Sequence, residues 1–195
     1  MADIKFITDR YKVVLASKSP RRQALLKEIV PEFSIMLRDT AETYPPTLVG
    51  GQIVEHLAML KASAFDGELD DNQLLITADT IVWIDNMVLG KPKDRSEAID
   101  MLKRLSGRRH TVYTGVCVKT TNKTKVFNVA TDVFFRQLDD SEIAYYVDNY
   151  KPFDKAGSYG VQEWIGYVGV ERIEGSYFNV MGLPVQRLYQ ELKEF

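Results

Sequence analysis

Six consecutive residues, Ser17-Lys18-Ser19-Pro20-Arg21-Arg22, constrain the fold of this chain more than any others. They follow an apolar run, Tyr11 to Ala16, that reads as a buried strand. They precede Gln23 to Val30, whose apolar spacing reads as a helix face. Ser19 suits the N-cap, where a hydroxyl accepts from a free backbone N–H, and Pro20 suits the first helical position, where no N–H is needed. The pattern predicts a strand–loop–helix unit with two hydroxyls and two guanidiniums at the helix N-terminus. Free N–H groups and the positive dipole end favour an anion there, and arginine adds forked donors matched to phosphate oxygens. The segment reads as a phosphate site without a glycine-rich loop. An ordinary capped helix with solvated arginines has the same pattern, so the rest of the chain decides.

A length of 195 residues is ample for a core and reads as one domain, residues 1–195, with no linker between independent domains. A net charge of −2 gives no global attraction to nucleic acid or to an anionic membrane, so any basic patch is local. Two histidines and one cysteine, Cys117, exclude a Cys/His zinc cluster and an internal disulfide, which fits a cytoplasmic protein. Cys117 itself reads as a buried, inert strand residue. No apolar run is long enough to span a bilayer, and the N-terminus lacks the apolar stretch of a signal peptide.

Strands and helices alternate along the chain. Helical spacing covers Ile53 to Phe65, and a central strand is predicted at Leu74 to Ala78. Ile81–Ile84 and Met87–Leu89 read as a hairpin turning at Asp85-Asn86. A helix through Ala98, Leu102 and Leu105 ends at Gly107. Two β-rich runs, Thr111–Lys119 and Lys125–Arg136, meet around Asn122, and a capping box at Asp139 to Glu142 opens a helix over Ile143–Asn149. A last strand region is predicted over Tyr167–Ile173, and a final helix follows Pro184. The expectation is an α/β fold with a mixed sheet.

Three further segments carry possible chemistry. Thr77-Ala78-Asp79-Thr80 places a carboxylate at the end of an apolar strand, where open α/β sheets bind ligands; Asp79 there can hold a metal through oxygen or orient and deprotonate a water. Leu89-Gly90-Lys91-Pro92 aims an ammonium from a stiff turn, since proline restricts Lys91 to extended geometry. Asp154 to Gln162 is glycine-rich, and the Gln162 amide offers the donor and acceptor that base recognition needs. Each has a plain structural alternative: a turn carboxylate, a solvated loop lysine, a glycine-rich connection.

Six motifs occur here in one order: Ser-x-Ser-Pro-Arg-Arg, Ala-Asp-Thr, Gly-Lys-Pro, Leu-Ser-Gly-x-x-His-x-Val-Tyr-Thr-Gly, Asp-Lys-Ala-Gly-x-Tyr-Gly-x-Gln and Glu-Gly-Ser-Tyr-x-Asn-Val-x-Gly-Leu-Pro. From Val14 to Leu188 the chain resembles the Maf family of nucleoside triphosphate pyrophosphatases. The resemblance implies a mixed, twisted β-sheet flanked by helices in an elongated, two-lobed molecule with a central cleft, related to the inosine triphosphate pyrophosphatases. It implies hydrolysis of a nucleoside triphosphate to monophosphate and pyrophosphate with Mg²⁺ or Mn²⁺, and a homodimer. Carried over residue by residue, it assigns Ser17, Ser19, Arg21 and Arg22 to the phosphates and Lys61 and Lys91 to catalysis. It assigns Glu42 to the metal, and Asp79 to the base, the metal or the orientation of water. Four cations in one site would repel one another when empty, which makes a polyanion the natural partner.

Substrate choice follows from three positions. The subgroup that resembles dTTP/UTP pyrophosphatases has Arg after Ser-Pro, Thr after Ala-Asp and Gln in the late glycine motif, and this chain has Arg21, Thr80 and Gln162. A neutral glutamine suits uracil or thymine edges. The chain departs from the family at Glu163-Trp164, where glycine is usual, and at His56, where arginine is common. Two other function classes are weighed. One is a nucleotide-binding regulator of septum formation, which needs the cradle but not Asp79 as a catalytic group. The other is a nucleic-acid-binding module, disfavoured by the acidic balance.

Overall fold

Why Asp79 and Lys61 meet is set by how a few helices dock on a seven-stranded mixed sheet. The computed structural model describes residues 5–195. The strands among them are β1 (Lys12–Leu15), β2 (Ser34–Ile35), β3 (Gln73–Ile84), β4 (Met87–Leu89), β5 (Arg109–Lys119), β6 (Thr124–Phe135) and β7 (Val170–Glu174). The helices are α1 (Lys5–Thr8), α2 (Pro20–Ile29), α3 (Gly51–Ser63), α4 (Arg95–Leu105), α5 (Asp140–Tyr150), α6 (Trp164–Gly169), α7 (Tyr177–Val180) and α8 (Val185–Glu194). The sheet order is β2-β1-β3-β5-β6-β7, with β4 added to β3. β1 is parallel to both β2 and β3, with Val13 opposite Leu74 and Val14 opposite Ser34. β4 runs antiparallel to β3 and β7 antiparallel to β6. The parallel pairs are joined through α2 and α3, as crossover connections require.

The chain forms two compact units. The first comprises residues up to Asp79, Thr114–Val129 and Gly182–Phe195, and the second comprises Thr80–Tyr113 and Ala130–Met181. β3, β5 and β6 each pass from one unit into the other. In the first unit Val14, Leu75 and Cys117 from the strands pack with Ala58, Ala62 and Phe65 from α3 and its C-terminal turn. Burial pushes the Cys117 thiol up to about 11, so it stays a protonated core residue. α3 sits close to β5 because position 115 is glycine: a Cβ there would lie 2.3 Å from the Val54 carbonyl oxygen. The Thr77 hydroxyl donates to the Ala58 carbonyl at 2.6 Å and fastens β3 to the same helix. In the second unit α4, α5 and α6 pack on β5 and β6 through Leu102, Val112, Val133, Tyr146 and Ile165.

Two local expectations change. Leu74–Ala78 and Ile81–Ile84 are one continuous strand, β3, so Asp79 lies within a strand rather than at its end. The apolar run ends at Ala78, before the polar Asp79-Thr80, but Thr77 is tied to α3 and Asp79 to a lysine, and the strand runs through. Tyr167–Gly169 belong to α6 and not to a strand. Aromatic and β-branched residues there favour extended backbone by composition. The Gly166 N–H instead donates to the Glu163 carbonyl at 2.8 Å, and a Cβ at 166 would meet the Val161 carbonyl oxygen at 1.9 Å. Glycine at that contact permits the helical turn.

Candidate active site

The N-terminus of α2 forms as its sequence dictates. The Ser19 side chain accepts from the Arg22 N–H at 3.4 Å, Pro20 begins the helix, and the buried Ser17 hydroxyl accepts from the Ser19 N–H at 3.2 Å. Arg22 turns its fork inward: Nε donates to the Gly182 carbonyl at 2.7 Å and Nη1 to the Ala78 carbonyl at 2.9 Å. Burial pulls its pKa down while the nearby Asp79 carboxylate opposes that shift. Arg22 thus bolts α2 to β3 one residue before Asp79. Arg21, half-buried, follows Pro20 on the first turn of α2.

Asp79 points its carboxylate at Lys61 from the last turn of α3, and the two form a short ion pair. Lys61 Nζ also lies 2.8 Å from Glu42 Oε1, on the long loop between β2 and α3. Asp79 is 10% and Lys61 18% exposed, whereas Glu42 is 48% exposed. One ammonium therefore gathers two carboxylates, one buried and one at the surface. Among the described residues no group of three or more His, Cys, Asp or Glu side chains could hold a metal. Two hard oxygen donors completed by ligand phosphates are what Mg²⁺ and Mn²⁺ accept. Glu42 and Asp79 fit that role. The first unit thus brings together Ser17, Ser19, Arg22, Glu42, Lys61 and Asp79.

Thr80, the next residue along β3, opens the second unit. There Lys91 is exposed just after β4, between Gly90 and the buried Pro92. The Gly157 N–H donates to the Gly90 carbonyl at 3.0 Å, so the Gly-Lys-Pro turn and the glycine-rich motif are fastened together. Gly157 has a φ of 68°, and a Cβ on it would touch Val82 at 2.7 Å. Both the left-handed backbone and the close packing call for glycine. The half-buried Gln162 ends this motif, and Trp164 after it packs on Tyr145, ring centroids 4.9 Å apart, and on the core. His110 is a core residue: its Nε2 pairs with the Tyr159 hydroxyl at 2.7 Å, and burial lowers its pKa to about 3. Sequence reasoning gave no role to Tyr146. An aromatic on an amphipathic helix reads as core, and nothing in the pattern shows that its hydroxyl meets Glu163.

A mixed sheet flanked by helices, a serine-capped helix tied to β3 through Arg22 and a carboxylate–ammonium cluster define an α/β protein with a charged site at one helix end. The model of the Maf-like protein family matches residues 12–195, and the chain belongs to that family. A dTTP/UTP pyrophosphatase of Bacteroides fragilis (strain YCH46) is 57% identical over 187 residues, spanning 95% of this chain and 97% of the relative. One from Flavobacterium psychrophilum is 54% identical over 178 residues, 91% of each chain. One from Porphyromonas gingivalis is 51% identical over 189 residues, 95% of each. Among solved structures, the Staphylococcus aureus Ham1 protein matches with a TM-score of 0.53 at 17% identity, covering 92% of this chain and 99% of that one; the likeness is one of fold.

Proposed function

We propose that this chain, acting as one 195-residue functional domain, hydrolyses dTTP and UTP to the monophosphate and pyrophosphate. The observation that carries the reading is the Lys61 ammonium held between Asp79 and Glu42, one residue from where Arg22 anchors the phosphate-binding end of α2. The identity of 57% to a protein named dTTP/UTP pyrophosphatase supports the same reading. No helix among the described residues is long and apolar enough to cross a membrane. The proposed substrates place the enzyme in the cytoplasm.

The chemistry is positioning and electrostatics. The Ser19 hydroxyl, the N–H groups of the first turn and Arg21 take phosphate oxygens. Lys61 offsets charge that grows as water attacks the α-phosphorus, and Lys91 is assigned to catalysis as a second cation. Asp79 orients that water and accepts its proton, a new P–O bond forms, and the bond to the α–β bridging oxygen breaks to release pyrophosphate. Glu42 and Asp79 would hold a divalent cation, which when bound polarises phosphoryl oxygens. Thr80 and Gln162 select the pyrimidine.

Release of pyrophosphate from dTTP, UTP, CTP, 7-methyl-GTP and ITP with Mg²⁺ or Mn²⁺ tests the reading. Preference for dTTP and UTP is expected, and Asp79→Asn should abolish turnover while nucleotide binding survives. Turnover of 7-methyl-GTP or ITP above the pyrimidines would overturn the specificity. Tight binding with no turnover of any nucleotide would favour the regulatory role.

A further inference from the structure

Glu163 directly follows Gln162, and its side chain is the centre of a partly buried polar cluster. Lys155 Nζ lies 3.0 Å from Glu163 Oε1, and the Lys155 side chain is only 9% exposed. The same ammonium donates to Asp154 Oδ1 at 2.8 Å. The other Glu163 oxygen, Oε2, accepts a short hydrogen bond from the Tyr146 hydroxyl on α5. The Tyr146 oxygen in turn accepts from the Gly160 N–H at 3.0 Å. The Glu163 N–H donates to the Gly160 carbonyl at 2.9 Å and closes the turn that contains Gln162. Position 160 is crowded by the two side chains of interest: a Cβ there would lie 2.9 Å from Glu163 Cδ and 3.0 Å from Gln162 Nε2. The carboxylate and the Gln162 amide therefore lie over the same Cα.

The segment needs such a clamp. Gly157 and Ser158 both have left-handed backbone, with φ of 68° and 61°. A non-glycine residue in that region is strained and persists only where its surroundings over-determine it. Tyr146 is itself fixed, its ring stacked on Tyr150 at 5.1 Å. A site that reads hydrogen-bonding edges needs its amide held to a fraction of an ångström.

We propose that Glu163 is a positioning residue for pyrimidine selection: clamped between Lys155 and Tyr146, it fixes the 160–163 turn and thereby the Gln162 amide. The proposal rests on the reading of Gln162 as the group that selects the base. It assigns Glu163 no contact with the reacting atoms. The Gly157–Gly90 hydrogen bond that seats the Lys91 turn lies outside the clamp.

The test compares wild type, Glu163→Gln and Tyr146→Phe by steady-state pyrophosphate release from dTTP, UTP and CTP, with hydrogen exchange of the 155–163 amides. Glutamine keeps the size of Glu163 but removes the charge that faces Lys155. Tyr146→Phe removes the acceptor for Gly160 and the donor to Glu163. Either variant should raise KM for dTTP about tenfold and narrow its preference over CTP, with kcat changed by less than about threefold. The Gly160 amide should exchange faster in both. Unchanged KM and selectivity beside a lower melting temperature would overturn the proposal, leaving Glu163 a stabilising residue only. Should Glu163→Gln fail to fold, Tyr146→Phe decides by the same readouts. Wild type that turns over neither dTTP nor UTP would overturn the functional reading and the proposal with it. Wild-type turnover with unaltered variants would overturn the proposal alone.

Discussion

Lys61 holds two carboxylates that would otherwise repel each other, Asp79 at 10% exposure and Glu42 at 48%. Lys61→Met keeps the stem of the side chain and removes the charge. The buried Asp79 then loses its ion-pair partner, and on the proposed function a phosphate loses a cation. Because a preorganised charge in such a site is worth about 100-fold to 1,000-fold in rate, pyrophosphate release should fall by at least about 100-fold. Circular dichroism should show the fold retained, since the Arg22 guanidinium remains close to the Asp79 carboxylate. Lys61→Arg should not restore turnover, because the planar fork cannot place one compact charge between two carboxylates. Turnover within about tenfold of wild type in Lys61→Met would remove Lys61 from the catalytic set.

At the level of elements, the α2 unit was legible because strand, cap, proline and apolar face all agree, and each is local in sequence. The Asp79–Lys61 contact was not readable from spacing. It depends on how closely α3 approaches β5, and that is set by glycine at 115 against Val54, a contact between distant parts of the chain. The break expected within β3 and the strand expected at Tyr167 failed for the same reason: tertiary hydrogen bonds and one tight glycine contact overrode local preference. The legible α2 cap gives a separable prediction. Ser19→Ala removes the acceptor for the Arg22 N–H and should cost about 1 kcal/mol in urea unfolding, with a raised KM for dTTP. Ser19→Asp restores the cap but, on the proposed function, sets a carboxylate against the triphosphate. It should unfold within about 0.5 kcal/mol of wild type while its KM rises further than that of Ser19→Ala. Equal KM values for the two variants would mean that position 19 caps the helix and does not face the ligand.

Across the whole molecule, His110 couples folding to acid. The residue is 2% exposed, and its ring lies edge-on to Phe135 and Tyr159 at 5.3 and 5.4 Å and pairs with the Tyr159 hydroxyl. Burial lowers its pKa from 6.5 to about 3, while Asp132 pulls weakly the other way. The folded protein therefore keeps His110 neutral at pH values where the unfolded chain protonates it. A depressed histidine pKa makes the unfolded state the better proton binder between these limits, so stability is intact above about 6.5 and falls as pH drops toward about 3. The limiting slope for one such group is about 1.4 kcal/mol per pH unit, which amounts to about 2 kcal/mol between pH 7 and pH 5. Paired carboxylates act in a separate window: Arg136 holds Glu142 down to about 2, so its contribution is lost only below about 4.5. Urea unfolding at pH 7, 6 and 5 isolates the histidine. His110→Gln retains a polar partner for Tyr159 but cannot titrate, so its curve should be flatter than that of wild type by about 2 kcal/mol over this range, whatever its absolute stability. Parallel curves for the two proteins would mean that His110 takes up a proton within the folded core and does not set the acid limit of the fold.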